Sequence, residues 1–479
     1  MPQEILLVQL PPWDARTAPL GIAYLAANLN SKGIRARVFD LNIYMHNLPG
    51  RQGERGWGND DFFWWQSRHL DENYSLSFDG FAEKILSFGS RVIGFSATIP
   101  SLPLLNRLCR RIKKKSARSL IIVGGPAIFF SQVRRAALSK CPADYLVIGE
   151  GEEALYQLLR AIGKKTRPAI KNSGLSVWRE HIFSRTACIR QKNPQDLDGL
   201  APPAFTEFDL VQYSEGSNSR DFTLPIIFSK GCIRHCTFCS DRVLSYPFRS
   251  RRPENIVNEI KGHLVRYPDL KALRVNDLSL NADLKLMEEL CDRLIAAGIR
   301  IKWYGQAQVR PDMGVKLLSK MKQAGCCQLD LGVENFSDRV LTMMRKGYDS
   351  KEAVSFLKAV KDAGISTNVL LIVGYPGETG EDFQNNLESI RKNAGLIDRV
   401  GSLNICGMPV GSELRQYPRQ HKVLFPLDIE WVTDDYANTY ETRKARYNRM
   451  AARCRESGIP VDCCLDLDTF ERSAKENRW

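Results

Sequence analysis

The stretch Phe228-Ser-Lys-Gly-Cys232-Ile-Arg-His-Cys236-Thr-Phe-Cys239 sets three cysteines in a C-x3-C-x2-C spacing near the middle of the chain. Three thiolates this close are one short of a tetrahedral zinc site, and they suit a four-iron four-sulfur ([4Fe-4S]) cluster held at three of its irons. The fourth iron then stays open to a ligand that is not protein. A zinc knuckle borrowing a distant fourth ligand, or three unrelated buried cysteines, is the plainer reading. The apolar strand Pro225-Ile-Ile-Phe228 running into the motif favours the cluster.

The rest of the chain has to be a frame for that loop. At 479 residues it is too long for one ordinary core, and two or three domains are expected. No apolar run approaches a membrane span; the longest, around Leu120 to Phe130, is interrupted by Gly124, Gly125 and Pro126. The start, Met-Pro-Gln-Glu-Ile-Leu, leads into a strand without a charged-then-apolar leader, so a cytoplasmic protein is expected. Its thirteen cysteines then read as thiols or metal ligands rather than disulfides. The net charge of +14 permits contact with nucleic acid without establishing it. Its densest pieces, Lys113 to Lys115 and Arg249, Arg251 and Arg252, read as solvated basic surface, and a nucleic-acid partner is not expected.

From residue 1 to 163 short apolar runs alternate with helical segments. Ile5 to Leu10, Arg35 to Phe39, Val92 to Ser96, Leu120 to Val123 and Tyr145 to Ile148 read as buried parallel strands. Helices are expected over Leu20 to Lys32, Phe78 to Phe88, Leu104 to Lys114 and Gln132 to Leu138, with a last one after Glu152. The pattern predicts a doubly wound, Rossmann-like α/β domain, whose ligands gather at the carboxyl ends of the strands. Small or polar residues stand there: Ser96 and Thr98, then Gly124, Gly125 and Pro126, then Gly149 and Glu150. Arg51 to Tyr74 is an insertion without a clear period. Residues 164 to 224 break the rhythm and read as a connector, with a small hairpin of 173–178 against 187–190.

From 225 to 425 six strand–helix units follow, with strands at Pro225 to Phe228, Ala272 to Val275, Ile301 to Tyr304, Gln328 to Leu331, Asn368 to Val373 and Val400 to Leu403. Glycines at 298, 325, 364 and 395 read as helix stops. Six such units predict a partial (β/α)6 barrel of the TIM type. Polar residues close its strands: Asn276 and Asp277, Gln306 and Gln308, Glu334, Gly374 to Glu378 with Pro376 between, and Asn404. The plainer alternatives are a helix-capping carboxylate before Ser337 for Glu334 and a simple turn for Gly374 to Glu378, though the latter's place after a long buried strand favours a ligand-facing role. The pairs Cys326–Cys327 and Cys463–Cys464 read as core thiols. Residues 426 to 479 form a C-terminal helical extension, with an arginine-rich helix over Tyr436 to Arg455 that covers the barrel mouth, binds an acidic substrate or is simply solvated.

The cysteine spacing, with the aromatic Phe238 before the third cysteine, resembles the radical S-adenosylmethionine (SAM) superfamily. Pro11-Pro12-Trp13, Pro19 to Ala27 and the glycine loops of the first domain resemble the cobalamin-binding domain that precedes many of its members. The combination is similar to the cobalamin-dependent radical SAM enzymes over nearly all of the chain to about Pro409. The resemblance implies that Cys232, Cys236 and Cys239 hold the cluster. It implies that Phe238, Asn276, Gln308, Glu334, Gly374 and Pro376 line the SAM site, with Arg310 either meeting its carboxylate or solvated beside Pro311. Trp13, Ser96, Thr98, Gly124, Gly125, Pro126, Gly149 and Glu150 are implied to cradle cobalamin. Many such domains carry Asp-x-His-x-x-Gly, whose histidine coordinates cobalt; none of the six histidines here has an aspartate two residues before it. Cobalamin is therefore expected without a protein nitrogen on its lower face. The implied reaction is methyl transfer from SAM through methylcobalamin to an unactivated carbon or phosphorus. A non-methylating ring closure, contraction or oxidation is the alternative. The partners implied are a small-molecule or peptide substrate and an electron donor such as flavodoxin or ferredoxin. No catalytic acid, base or nucleophile is assigned.

Overall fold

The computed structural model describes residues 4–48, 65, 77–138, 141–164, 175–178, 187–191, 196–214, 222–425, 428–461 and 467. Most of the 51–74 insertion and the Cys463–Cys464 pair lie outside the described residues. Two compact units divide the chain: Met1–Asp221 with Asp466–Trp479, and Phe222–Leu465.

The first unit is built on a seven-stranded sheet. Its strands are β1 (Glu4–Gln9), β2 (Arg35–Asp40), β3 (Val92–Ser96), β4 (Leu120–Gly124), β5 (Tyr145–Ile148), β6 (Leu175–Trp178) and β7 (Ala187–Gln191). Their order is β2-β1-β3-β4-β5-β7-β6, with only β6 antiparallel to its neighbour. The strands read as near-continuous apolar runs because both faces are covered. Ile5 and Leu7 face one way, into a core shared with Ile22, Leu29, Leu155 and Leu158 of the helices Leu20–Ser31 and Glu152–Gly163. Leu6 and Val8 face the other, against Phe81, Ile85, Leu105 and Leu108 of Phe78–Leu86 and Leu102–Lys115. The expected hairpin is present, and its second arm, β7, continues the sheet beside β5. The strand order reverses between β1 and β3, which makes that junction the topological switch point.

The second unit holds six parallel strands in sequential order: Thr223–Ile226, Ala272–Val275, Lys302–Ala307, Cys326–Glu334, Ser366–Val373 and Arg399–Ile405. The first begins two residues before its expected start, with Pro225 inside it. The strand is an edge with one neighbour, and there a residue without an N–H is tolerated. Gly298, Gly325 and Gly364 stop helices with positive φ. At Gly325 a Cβ would stand 2.1 Å from the Ile301 carbonyl oxygen. Gly395 does not stop a helix. The preceding helix already ends at Lys392, and Gly395 lies inside a single 3-10 turn. The arginine-rich helix runs over Tyr440–Glu456, starting later than expected because Tyr436 is in a left-handed turn and Thr439 supplies the cap.

Candidate cluster and cofactor sites

In the second unit a short loop carries the three cysteines past the end of the first barrel strand. Gly231 precedes them at φ 93°, where a Cβ would stand 2.8 Å from the Ser245 carbonyl oxygen and 2.9 Å from Phe248 Cα. Asp277 fixes the entry to the loop: one oxygen accepts from Phe228 N at 2.9 Å, the other from Ser229 Oγ at 2.6 Å. Burial pushes its carboxyl up to about 7, against those hydrogen bonds. Its neighbour Asn276, the residue singled out from sequence, is the exposed one of the two.

All three cysteines are half-buried and none of them is in a disulfide. Cys232 Sγ accepts from Gln308 Nε2 at 3.0 Å and from Arg234 N at 3.4 Å. Gln308 turns its oxygen to Arg234 Nε at 2.9 Å, and Asn281 holds its backbone on both sides. Burial pushes the Cys236 thiol up, while the charge on Lys346 works against it. Among the described residues no three His, Cys, Asp or Glu side chains converge on a single ion. A cluster does not require that, since each thiolate holds a different iron.

Lys346, which sequence reasoning did not single out, ties this face together. Its Nζ donates to Glu334 at 3.1 Å and lies 5.9 Å from the ring centres of Phe238 and Tyr348. Burial alone would discharge it; Glu334, Tyr348 and Cys236 overcome that and keep the ammonium charged. Glu334 is not a helix cap, because Ser337 caps the next helix with its own side chain. Instead it sits at a bulge with φ 66°, a left-handed backbone that is costly for any residue but glycine.

The Gly374–Glu378 segment is more than a turn. Glu378 is 4% exposed, and accepts from Gly374 N at 2.7 Å, Asn335 Nδ2 at 3.0 Å and Arg446 Nη1 at 2.8 Å. Burial pushes its carboxyl up, and Arg446 pulls it back. Asn438 Nδ2 donates to the carbonyls of Gly374 and Tyr375. Arg443 stacks 3.7 Å from the Trp431 ring and leaves no room for a Cβ at Gly374. Two arginines of the C-terminal helix thus meet this loop, Arg443 by packing on Gly374 and Arg446 by its bonds to Glu378. Tyr375 closes the circle, meeting Thr237 of the cysteine loop at 2.7 Å and the Met343 carbonyl at 3.0 Å. Pro376, between Tyr375 and Gly377, is buried with the loop. Arg310 is committed elsewhere: it pairs with Asp312 at 2.7 Å and donates to the Asn281 and Ala282 carbonyls.

In the first unit the expected residues gather at the carboxyl ends of β1, β3, β4 and β5. Gly125 has φ 96°, and a Cβ there would stand 2.6 Å from both the nitrogen and the oxygen of Ala97. Ser96 accepts from Leu10 N through its carbonyl, and Pro126 opens a one-turn helix. Gly149, at φ 86°, and Glu150 follow β5. Trp13 N donates to Asn42 Oδ1 at 2.8 Å, and Asp14 is taken by Arg16 at 2.9 Å.

Two family models match this chain: the B12 binding domain over residues 14–159 and the radical SAM superfamily over 226–390. The chain is a cobalamin-dependent radical SAM enzyme. Among curated proteins, this enzyme is 24% identical over 323 residues to an uncharacterized methyltransferase of Pyrococcus horikoshii, covering 66% of this chain and 67% of that protein. It is 26% identical over 321 residues to the anaerobic magnesium-protoporphyrin IX monomethyl ester cyclase of Rubrivivax gelatinosus, covering 66% and 57%. Of solved structures, the radical SAM methyltransferase TsrM from Kitasatospora setae, with tryptophan and a SAM analogue bound, shares the fold at a TM-score of 0.63 and 16% identity, over 87% of this chain and 76% of that one. No helix among the described residues is long and apolar enough to cross a membrane.

The cofactors of such an enzyme are a [4Fe-4S] cluster, SAM and cobalamin, and the residues present fit them. Three thiols outside any disulfide, with amide donors on one sulfur, suit a cluster. Thr98 Oγ1 is buried without a hydrogen-bond partner beside the Gly125 turn, a spare group for an amide-rimmed ring.

Proposed function

We propose that this enzyme moves a methyl group from SAM, by way of cobalamin, to an unactivated carbon or phosphorus of a small molecule or peptide. The observation that carries the reading is the loop after β1. From Leu10 to Pro19 it includes no histidine, and within its Pro11 to Asp14 stretch the Trp13 backbone and Asp14 carboxylate are already bonded within the fold. Cobalt without a nitrogen from below is suited to accepting and passing on a methyl group. Cys232, Cys236 and Cys239 would hold the cluster, and Phe238, Gln308, Glu334 and the Gly374–Pro376 loop would orient SAM on its open iron. Asn276 would face the same ligand from the second barrel strand. Trp13, Ser96, Thr98, Gly124, Gly125, Pro126, Gly149 and Glu150 would cradle cobalamin. The electron would come from a flavodoxin or ferredoxin in the cytoplasm. Similarity to a cyclase favours one other reading, a non-methylating ring closure on the same cofactors. Turnover with methyl-deuterated SAM separates the two: a product carrying the labelled methyl is expected, and a product that forms without it overturns methyl transfer.

A further inference from the structure

The barrel strands turn a second, unassigned face inward. On the fourth strand Leu329, Leu331 and Val333 are fully buried, while Gln328, Asp330, Gly332 and Glu334 alternate with them on the opposite, half-buried face. Asp330 is the centre of that face. Its Oδ1 accepts from Gln328 Nε2 at 2.7 Å and from Asn368 Nδ2 of the next strand at 2.8 Å. Among the described residues nothing donates to its Oδ2, and no cation pairs with it. Arg274 and Lys302 stand lower on the same face and are engaged elsewhere. Asn368 Oδ1 is buried with no partner. The amide has room only because residue 401 is glycine, where a Cβ would lie 2.2 Å from that oxygen.

A half-buried carboxylate with no cation paired to it favours a ligand that brings one. Here one oxygen is locked by two amides, the other is left over, and a spare amide acceptor stands beside it. That set matches a primary ammonium, which brings a positive charge and three donors. The half-buried Leu370 and Ile372, further along the fifth strand, supply apolar surface for the body of such a ligand. Gly332, the next inward position, carries no side chain, and its Cβ would stand 2.8 Å from Glu334 Oε1 and 3.6 Å from Lys346 Nζ. One inward step, about 7 Å, leads from Asp330 to Gly332, against which the Glu334–Lys346 pair beside the cysteine loop stands.

We infer that Asp330, with Gln328 and Asn368, forms the substrate's anchoring site, and that the substrate carries a primary amine, docked as its ammonium. The inference rests on the proposed function only for what happens at the far end of the ligand. Its test is binding alone, so failed methyl transfer leaves it standing. The holoenzyme is titrated with benzylammonium and with its neutral isostere benzyl alcohol, followed by ligand-observed NMR. The amine should bind and the alcohol should not. Asp330→Asn should weaken amine binding at least roughly tenfold while iron content and SAM affinity stay at wild-type levels. The wild-type comparison stands even if that variant folds poorly. Equal binding of amine and alcohol, no binding of the amine, or full amine binding by a folded Asp330→Asn enzyme overturns the proposal.

Discussion

The strand ends of the two units differ in kind. In the first they are made of backbone and small residues: Gly124, Gly125, Pro126, Gly149 and the Thr98 hydroxyl. In the second they are made of fixed charge, with Lys346 on Glu334, Arg446 on Glu378, and Arg234 on the amide that reaches Cys232. A wide neutral ring asks for space and a few hydrogen bonds, which glycine and exposed backbone supply. A cluster and a sulfonium cofactor ask for oriented charge that water would otherwise screen. One unit is specified by what its residues lack, the other by ion pairs buried at a desolvation cost.

If that contrast is right, the units should fail separately. Replacing Cys232, Cys236 and Cys239 by alanine should abolish iron–sulfur absorption and SAM cleavage together, while cobalamin uptake persists. Iron retained at the wild-type level would break the assignment. The converse variant is Gly125→Val, whose side chain would collide with the Ala97 backbone from a left-handed conformation. It should cost about 1–3 kcal/mol in strain and remove cobalamin by equilibrium dialysis, with cluster iron unchanged.

Smaller effects sharpen the comparison within the second unit. Arg446→Met leaves Glu378 buried without its cation, and breaking such a pair typically costs about 3–5 kcal/mol. SAM affinity should fall, and Arg446→Lys should restore part of it; a purely scaffolding role would lower the melting temperature and leave the affinity of the folded fraction alone. The smallest effect is on pH. Asp277 holds its proton to about 7 in the fold against an ordinary 3.8. The folded state thus binds the extra proton, so this stabilisation is complete below pH 4 and is lost as pH rises through about 7. Denaturant midpoints measured from pH 5 to 8 should slope downward in the wild type and flatten in Asp277→Asn.

The readable parts of the chain were those with a period or a spacing. Alternating βα segments and the C-x3-C-x2-C run gave both folds and the cysteine loop, because strand burial and close cysteine spacing leave a direct mark on the chain. Glu334 and Gly374 were legible as polar or glycine interruptions at strand ends. Lys346 was not, since a lone lysine after a helix looks like solvated surface until the fold brings Glu334, twelve residues earlier, to its ammonium. A left-handed non-glycine residue such as Glu334 also leaves no trace in sequence. For a related reason the arginine helix left three readings open, a cover for the barrel mouth, an acidic-substrate site or a solvated face, since charge alone does not name its partner. Arg443 is taken by the carbonyls of Ile429 and Trp431, and Arg446 by Glu378, 68 residues away in sequence. Asp330 was hidden by the alternation that marks an ordinary half-buried strand.

Under the proposed function, SAM serves two chemistries in two differently built sites: methyl donation for the cobalamin unit, and homolysis at the cluster. The direct measurement is the release of S-adenosylhomocysteine and 5′-deoxyadenosine from the same anaerobic reaction, counted against methylated product. Both should appear in comparable amounts, one of each per methylation. Deoxyadenosine released while labelled methyl never leaves SAM would contradict the claim.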